Sequence, residues 1–202
     1  MKKILIGTHN KGKFKEIAYL LPKKLKKISP ILLNIKSPKE TGKSFTSNAR
    51  LKVRYFSKFV DYPVISDDSG LCVKALRDKP GIYSARLAKK NGGFLNAMKI
   101  ILKKMKKEKK RSAVFVCSLS CKDEKGKIFT VEGKIKGNIS TKILGKKGFG
   151  YDPIFIPLKK KITFGQMSKS TKIKMDHRYI AFKKLKKKLK LYKFFIVSFV
   201  NI

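Results

Sequence analysis

Apolar residues recur along this chain in two periods, and the switches between them lay out strands and helices. Residues 3–7 (KILIG) are a short apolar run that reads as a buried strand. Phe14, Ile17, Ala18 and Leu21 then recur at i, i+3, i+4 and i+7, the stripe of an amphipathic helix that Pro22 ends. A second strand is expected at 31–35 (ILLNI), followed by a loop containing Pro and Gly over 36–43. Ser44 is suited to cap a helix whose inward stripe is Phe45, Ala49, Val53, Phe56 and Val60. The run PVIS (63–66) predicts a third strand that leads directly into DDSGL.

Further on, the pattern predicts a short strand at CVKAL (72–76), a loop at KPGIYSAR (79–86) and a helix over 94–107 with Leu95, Met98, Leu102 and Met105 inward. SAVFVCSLSC and KIFTVEGKI, joined by the turn KDEKG, predict an antiparallel hairpin. GKKGFGYDPIF is a Gly-rich loop entering an extended segment, and a last helix is expected from near Asp176, carrying Ile180, Phe182, Leu185 and Leu189. The order β-α-β-α-β, then α, then hairpin predicts an α/β protein with a mixed sheet and flanking helices. A chain of 202 residues can bury roughly 70% of its unfolded surface, so no disulfide or metal staple is required.

Composition agrees with a globular core, at 42% hydrophobic and 10% aromatic residues. Cys72, Cys117 and Cys121 sit in apolar runs, and their odd number argues against a disulfide framework. With no nearby His or third ligand, Cys117 and Cys121 do not make a zinc site; all three are expected in the core of a protein kept in a reducing compartment. MKKILIG is basic at its start, but its apolar stretch stops at Thr8, too short for a signal peptide. FFIVSFV near the C-terminus falls far below the ~20 residues of a membrane span. Residues 191–202 are read as an apolar tail on a single domain, 1–202, of a cytoplasmic protein without a membrane partner.

The net charge of +40 would ordinarily suggest a nucleic-acid partner. Only six of the 52 basic residues are Arg, however, and Lys is spread over nearly every segment. Base reading and bidentate phosphate recognition favour Arg. Together with abundant Ile and Phe, the Lys content reads as a codon bias toward A and T. Nonspecific attraction to polyanions is expected, but no specific nucleic-acid partner.

Against that background the rare polar residues carry information. His9 and His177 both lie at loop-to-helix junctions. Among only 12 acidic residues, Asp67 and Asp68 stand side by side at the expected end of an apolar strand, where open α/β sheets place ligand sites. Two hard-oxygen ligands there suit Mg²⁺, whereas Asp, Ser and Gly in sequence also make an ordinary turn. Glu40, in KETGKSF, is a second candidate carboxylate, or a solvated loop residue. FGYDP offers an aromatic ring able to stack on a base and Asp152 to bond a polar edge, or simply a Gly turn with core aromatics. GTHNKGKF (7–14) reads G-x-x-x-x-G-K, but a P-loop requires Ser or Thr where Phe14 stands. A strand–loop–helix unit can still present backbone N–H groups and a positive helix end to anionic oxygens.

Six segments occur together and in order: THNKGK (8–13), ETGKSFTSNA (40–49), SDDSGL (66–71), KPGIYSAR (79–86), GFGYDPIF (148–155) and MDHRYIA (175–181). In these the chain resembles the inosine/xanthosine triphosphate pyrophosphatases of the Ham1/RdgB type, over roughly residues 2–190. The resemblance implies an elongated mixed-sheet α/β fold with two lobes around a central nucleotide cleft, and a homodimer. It implies hydrolysis of ITP, dITP and XTP between the α and β phosphates, removing these nucleotides from the pool. Asp68 is implied as the acceptor of the attacking water's proton and, with Glu40, as the ligand of Mg²⁺. Thr8, His9, Asn10, Lys11, Gly12, Lys13 and Ser69 are implied contacts of the substrate. Phe149, Gly150, Tyr151, Asp152, Lys172, His177 and Arg178 are implied to form the base pocket. Lys74, Arg77-Asp78, Asp176 and the Thr171-Lys172-Ile173 triplet depart from the family pattern. The alternatives are a basic nucleic-acid-binding module, whose binding would survive loss of Asp68, and a Maf-like pyrophosphatase of other base specificity, against which FGYDP and the His-Arg pair argue.

Overall fold

In a computed structural model, residues 2–123 and 125–191 are described. Seven strands, β1 (Lys3–Ile6), β2 (Lys26–Ile28), β3 (Val64–Val73), β4 (Lys79–Pro80), β5 (Ser112–Lys122), β6 (Ile128–Ile139) and β7 (Phe155–Pro157), form one mixed sheet. Its order is β2-β1-β3-β5-β6-β7, with β4 pairing β3. β1 is parallel to β2 and to β3, while β3/β4 and β6/β7 are antiparallel. The helices are α1 (Lys11–Leu20), α2 (Phe45–Phe56), α3 (Ser84–Lys90), α4 (Phe94–Lys104), α5 (Lys169–Ile173) and α6 (His177–Leu191). None of the described helices is long and apolar enough to cross a membrane. The apolar tail read at 191–202 lies, beyond Leu191, outside the described residues.

The chain divides into two compact units: one built from residues up to 68, 117–133 and the segment from 178, the other from 69–116 and 134–177. In the first unit the two-residue period of the strands separates two cores. Ile4, Ile6 and Ile65 pack with Ile17 of α1 and Leu21 at its C-cap, Leu119 of β5 and Ala181 and Leu185 of α6. The alternate positions, Leu5 and Val64, pack with Val53 and Phe56 of α2. Ser44 caps α2 by accepting from the Ser47 N–H, and Ser47 returns a bond to the cap, a reciprocal capping box. Val60, read as part of the α2 stripe, lies beyond the helix end.

In the second unit, Leu71 and Val73 of β3, Ala97, Met98 and Ile101 of α4, Phe115 of β5 and Phe155 and Phe164 form the core. KPGIYSAR, expected to be a loop, is a β4 bridge, a 3₁₀ turn and the start of α3. Its Ser84 hydroxyl accepts from the Leu71 N–H and donates to the Gly81 carbonyl, and the Ser84 carbonyl accepts from the Tyr151 hydroxyl. This motif is therefore a brace between β3 and the Tyr151 loop.

Four further expectations change. The second strand is Lys26–Ile28, and 30–33 is a 3₁₀ helix; Ser29 caps it, Pro30 fixes its first φ, and left-handed Asn34 closes it. The third strand does not stop before DDSGL but continues to Val73, so the turn reading of DDSG fails and CVKAL is no separate strand. In α4 the buried residues are Ala97, Met98 and Ile101, whereas Leu95 is 54% exposed. Helix α5 was not anticipated. Cys117 and Cys121 are buried, as expected, and burial pushes the Cys121 thiol up to about 12.

Gly7, which joins β1 to the first motif, is held by close packing: a Cβ there would overlap the Ser66 hydroxyl and the Phe56 ring. Gly7→Ala should destabilise the protein by roughly 1–3 kcal/mol, lowering Tm by roughly 2–4 °C per kcal/mol in a thermal melt. An unchanged melt would show that the neighbours yield freely.

Candidate active site

Asp67 and Asp68 lie inside β3, at 0% and 4% exposure, not at its end. Being consecutive they face opposite ways, and each meets a different helix set. On the α1/α6 face, Asp67 Oδ2 is 3.2 Å from Lys13 Nζ and 3.3 Å from Arg178 Nε. Arg178 Nη1 also donates to Glu16 Oε2 at 2.6 Å, so one buried guanidinium joins carboxylates from α1 and β3. Burial would push the Asp67 carboxyl up, but Lys13, Arg178 and Lys52 outweigh it and hold it well below the usual carboxylate range.

The loop carrying THNKGK is fixed before any ligand arrives. Asn10 is the N-cap of α1, its Oδ1 accepting from the Lys13 N–H, and its own N–H donates to Thr8 Oγ1. His9 bonds the Ile35 carbonyl through Nε2 at 2.9 Å, and Ser37 Oγ lies 2.6 Å from Nδ1. Nε2 must donate to a carbonyl, so Nδ1 accepts from the Ser37 hydroxyl and the tautomer is set. Lys11 is exposed and Gly12 half-buried in the first turn, where no acidic residue stands. That end of α1 keeps the positive potential of its free N–H groups.

On the α2 face, Asn48 Nδ2 donates to Asp68 Oδ2 at 3.0 Å while its Oδ1 accepts from the Gly42 N–H at 2.8 Å. One turn further, buried Lys52 donates to Glu40 Oε1 at 2.8 Å and lies 3.9 Å from Asp68 Oδ1. Glu40 and Asp68, 28 residues apart in sequence, thus converge on one cation. Burial pushes the Asp68 carboxyl up, with Lys52 and Lys13 opposing and Glu40 adding to it. Burial disfavours the Lys52 ammonium, but Asp68, Asp67 and Glu40 outweigh that and hold its pKa up.

Among the described residues, no three His, Cys, Asp or Glu side chains form a metal cage. Mg²⁺ does not require one, since it is commonly held by one or two carboxylates together with substrate phosphates. Glu40 and Asp68 fit that demand, as hard-oxygen donors already turned toward a shared ammonium.

In the second unit, Lys172 Nζ meets Asp152 Oδ2 at 2.6 Å, and the Phe149 N–H donates to the same oxygen at 2.8 Å. The ammonium also stands 4.8 Å from the Phe149 ring centroid. Gly148 and Gly150 have φ of +74° and +67°, and a Cβ on Gly148 would overlap the Asp152 carboxylate. FGYDP is therefore a loop tied by its own Asp, with Phe149 half-buried. Tyr151 is buried, its hydroxyl on the Ser84 carbonyl and its ring edge-on to Phe94 at 5.2 Å. His177 is buried and stacks on Phe115 at 4.8 Å with 10° between the planes. Ser69 is half-buried in β3, directly after Asp68.

Comparison with known proteins identifies the family. The model of the Ham1 family matches residues 4–188. The chain belongs to the Ham1 family. The dITP/XTP pyrophosphatase of Dictyoglomus thermophilum is 41% identical over 190 residues, 91% of this chain and 92% of that protein. That of Caulobacter vibrioides is 39% identical, covering 91% and 96%. Among solved structures, the Ham1 protein of Staphylococcus aureus superposes with a TM-score of 0.83 at 35% identity, covering 95% of this chain and all of that one. A HAM1 protein from Coxiella burnetii gives 0.83 at 31% identity, covering 94% and 99%.

Within this Ham1-family chain, Glu16, Asn48 and Lys52 were missed by motif reading, and Asp67, read with Asp68 as a pair of hard-oxygen ligands for Mg²⁺, is instead turned away from Asp68 onto Lys13 and Arg178. A signal existed for two of them. The buried residues of α2 are at positions 48, 49, 52, 53 and 56, so Asn48 and Lys52 are polar residues on an apolar face. Such positions demand partners. Glu16 has no comparable signal, because its partner Arg178 is 162 residues away.

Asp67 supplies a pH test. Its depressed pKa means that its stabilising contribution is complete above its ordinary value of 3.8 and is lost as pH falls through and below that value. Asp67→Asn, which leaves Lys13 and Arg178 facing an amide, should cost about 3–5 kcal/mol at neutral pH. Its stability should also fall less steeply than the parent's on acidification. Urea unfolding between neutral pH and pH 3 reads both effects, and equal acid slopes would remove Asp67 from this role.

Proposed function

We propose that this chain hydrolyses non-standard purine nucleoside triphosphates (ITP, dITP and XTP) between the α and β phosphates, releasing the monophosphate and pyrophosphate. The observation that carries the reading is the convergence of Glu40 and Asp68 on one cation position in the α2 face. The names of the relatives, dITP/XTP pyrophosphatases, support it. Mg²⁺ dependence and a homodimer belong to the same proposal.

Mg²⁺, held by Asp68 and Glu40, would neutralise phosphate oxygens and lower the pKa of a bound water. The residues of the chain do the remaining work. Thr8, His9, Asn10, Lys11, Gly12 and Lys13 bind the triphosphate through the N-terminus of α1 and the Lys13 ammonium. Asp68 takes the attacking water's proton, and Asn48, bonded to its Oδ2, keeps the carboxylate from rotating. Ser69 bonds the substrate beside it. Phe149, Gly150, Tyr151, Asp152 and Lys172 receive the base, with His177 as a donor to an oxygen at purine position 6. Arg178 contributes with its Nε and Nη1 already given to Asp67 and Glu16. A 6-amino group would leave buried donors unpaired, a mismatch of a few kcal/mol.

Purified protein given ITP and Mg²⁺ should form IMP and pyrophosphate in equal amounts. Accumulation of IDP with orthophosphate would place the cleavage elsewhere and sink the reading. Asp68→Asn should slow turnover at least ~100-fold, within the range for loss of a general base. His177→Ala should narrow the ITP-to-ATP ratio of kcat/KM at least ~10-fold, chiefly by lowering the value for ITP. A ratio left unchanged would remove His177 from base selection.

A further inference from the structure

Lys52 is the residue on the α2 face that the proposed chemistry does not use, and its position is unusual. It is 8% exposed in a chain whose lysines lie mostly on the surface, and it leaves the inward face of α2 one turn after Asn48. Its ammonium is 2.8 Å from Glu40 Oε1 and 3.9 Å from Asp68 Oδ1. On the other face of β3, Lys13 and Arg178 serve Asp67. The two carboxylates assigned to the metal thus already hold a cation supplied by the chain.

An ammonium and a divalent ion compete for those oxygens. Glu40, Asp68 and Lys52 together carry one net negative charge. A divalent ion added beside Lys52 would reverse that sign and set two cations against each other in a partly desolvated space, where like charges repel more strongly than in water. Its short, near-octahedral bonds also need the oxygen lone pairs that now face the ammonium. A polyphosphate brings several negative charges and relieves the excess.

We propose that Lys52 is the resident counter-cation of Glu40 and Asp68, that a divalent metal must displace it, and that metal and polyphosphate therefore bind with positive coupling. By linkage, each ligand tightens the other by the same factor. The proposal rests on the assignment of Glu40 and Asp68 to the metal. In function, the enzyme without nucleotide would take up metal weakly, and the loaded site would form when both arrive.

The test counts Mn²⁺ bound to the full-length protein, from the electron paramagnetic resonance signal of the free ion. Mn²⁺ alone should bind the parent weakly, and Lys52→Met should tighten it at least ~10-fold, within the ordinary range of coupling. Lys52→Arg, which keeps the charge, should stay near the parent. With the α,β-methylene analogue of ITP at saturation, after subtracting Mn²⁺ bound by the free analogue, the advantage of Lys52→Met should shrink. A thermal melt gives a second reading: Mn²⁺ alone should raise the Tm of folded Lys52→Met more than that of the parent. Unchanged or weaker Mn²⁺ binding by Lys52→Met would overturn the proposal. Asp68→Asn separates the two levels. If it loses Mn²⁺ while Lys52→Met gains nothing, the counter-cation idea fails alone; if it keeps full Mn²⁺ binding, the metal assignment fails with it.

Discussion

Asp67 and Asp68 are consecutive in a strand, so backbone geometry alone sends their carboxylates to opposite faces of the first unit, each into a packed environment. Taking an isolated carboxylate out of water costs several kcal/mol, and the cost is offset only by cations and donors close at hand. Each face must therefore supply its own. On one, Lys13 of α1 and Arg178 of α6 meet Asp67; on the other, Asn48 and Lys52 of α2 meet Asp68. Helices drawn to the strand for apolar burial thus arrive already carrying the groups of the proposed phosphate and metal site.

The two faces differ in a way that fits a division of labour. Asp67 is fully buried and held firmly ionised by two direct cation contacts, which makes it a fixed anchor for Lys13 and Arg178. Asp68 has a hydrogen bond from a neutral amide and a longer approach to Lys52, and burial pushes its carboxyl up. A carboxylate that is less fully compensated remains able to take a further cation or a proton. Adjacent residues of one type thereby acquire different chemistry from the helix each one faces.

Much of the fold was legible because the apolar periods are clean where they meet one neighbour. β1, α1, α2 and the β5/β6 hairpin emerged from period together with the cap, proline and turn residues that bound it, whereas ILLNI did not. Its Ile, Leu and Leu suit a strand, but Pro30 and the Ser29 cap favour a 3₁₀ turn, and Ile31, Leu32 and Leu33 lie at the surface. DDSG misled in the opposite direction: four turn-forming residues continue a ten-residue strand because their neighbours satisfy them. At the site, the motif residues could be named, but which of them touch could not. The Glu40–Lys52–Asp68 and Glu16–Arg178–Asp67 groups join segments distant in sequence, and no local pattern encodes that.

The lysine excess also takes on structure once burial is known. Lys52 and Lys172 lie at 8% and 4% exposure, each against a carboxylate at under 3 Å. Arginine marks a second distinction. Arg111 spreads Nε, Nη1 and Nη2 over the carbonyls of Ile139, Met105 and Ser140, and Arg178 uses Nε and Nη1 on two carboxylates at once. A planar fork can hold several acceptors in fixed directions; a single ammonium on a flexible stem cannot do so with the same geometry. In a chain that otherwise uses lysine almost everywhere, these two arginines stand where one side chain must join several segments. Arg178 is the one that does so beside the candidate site.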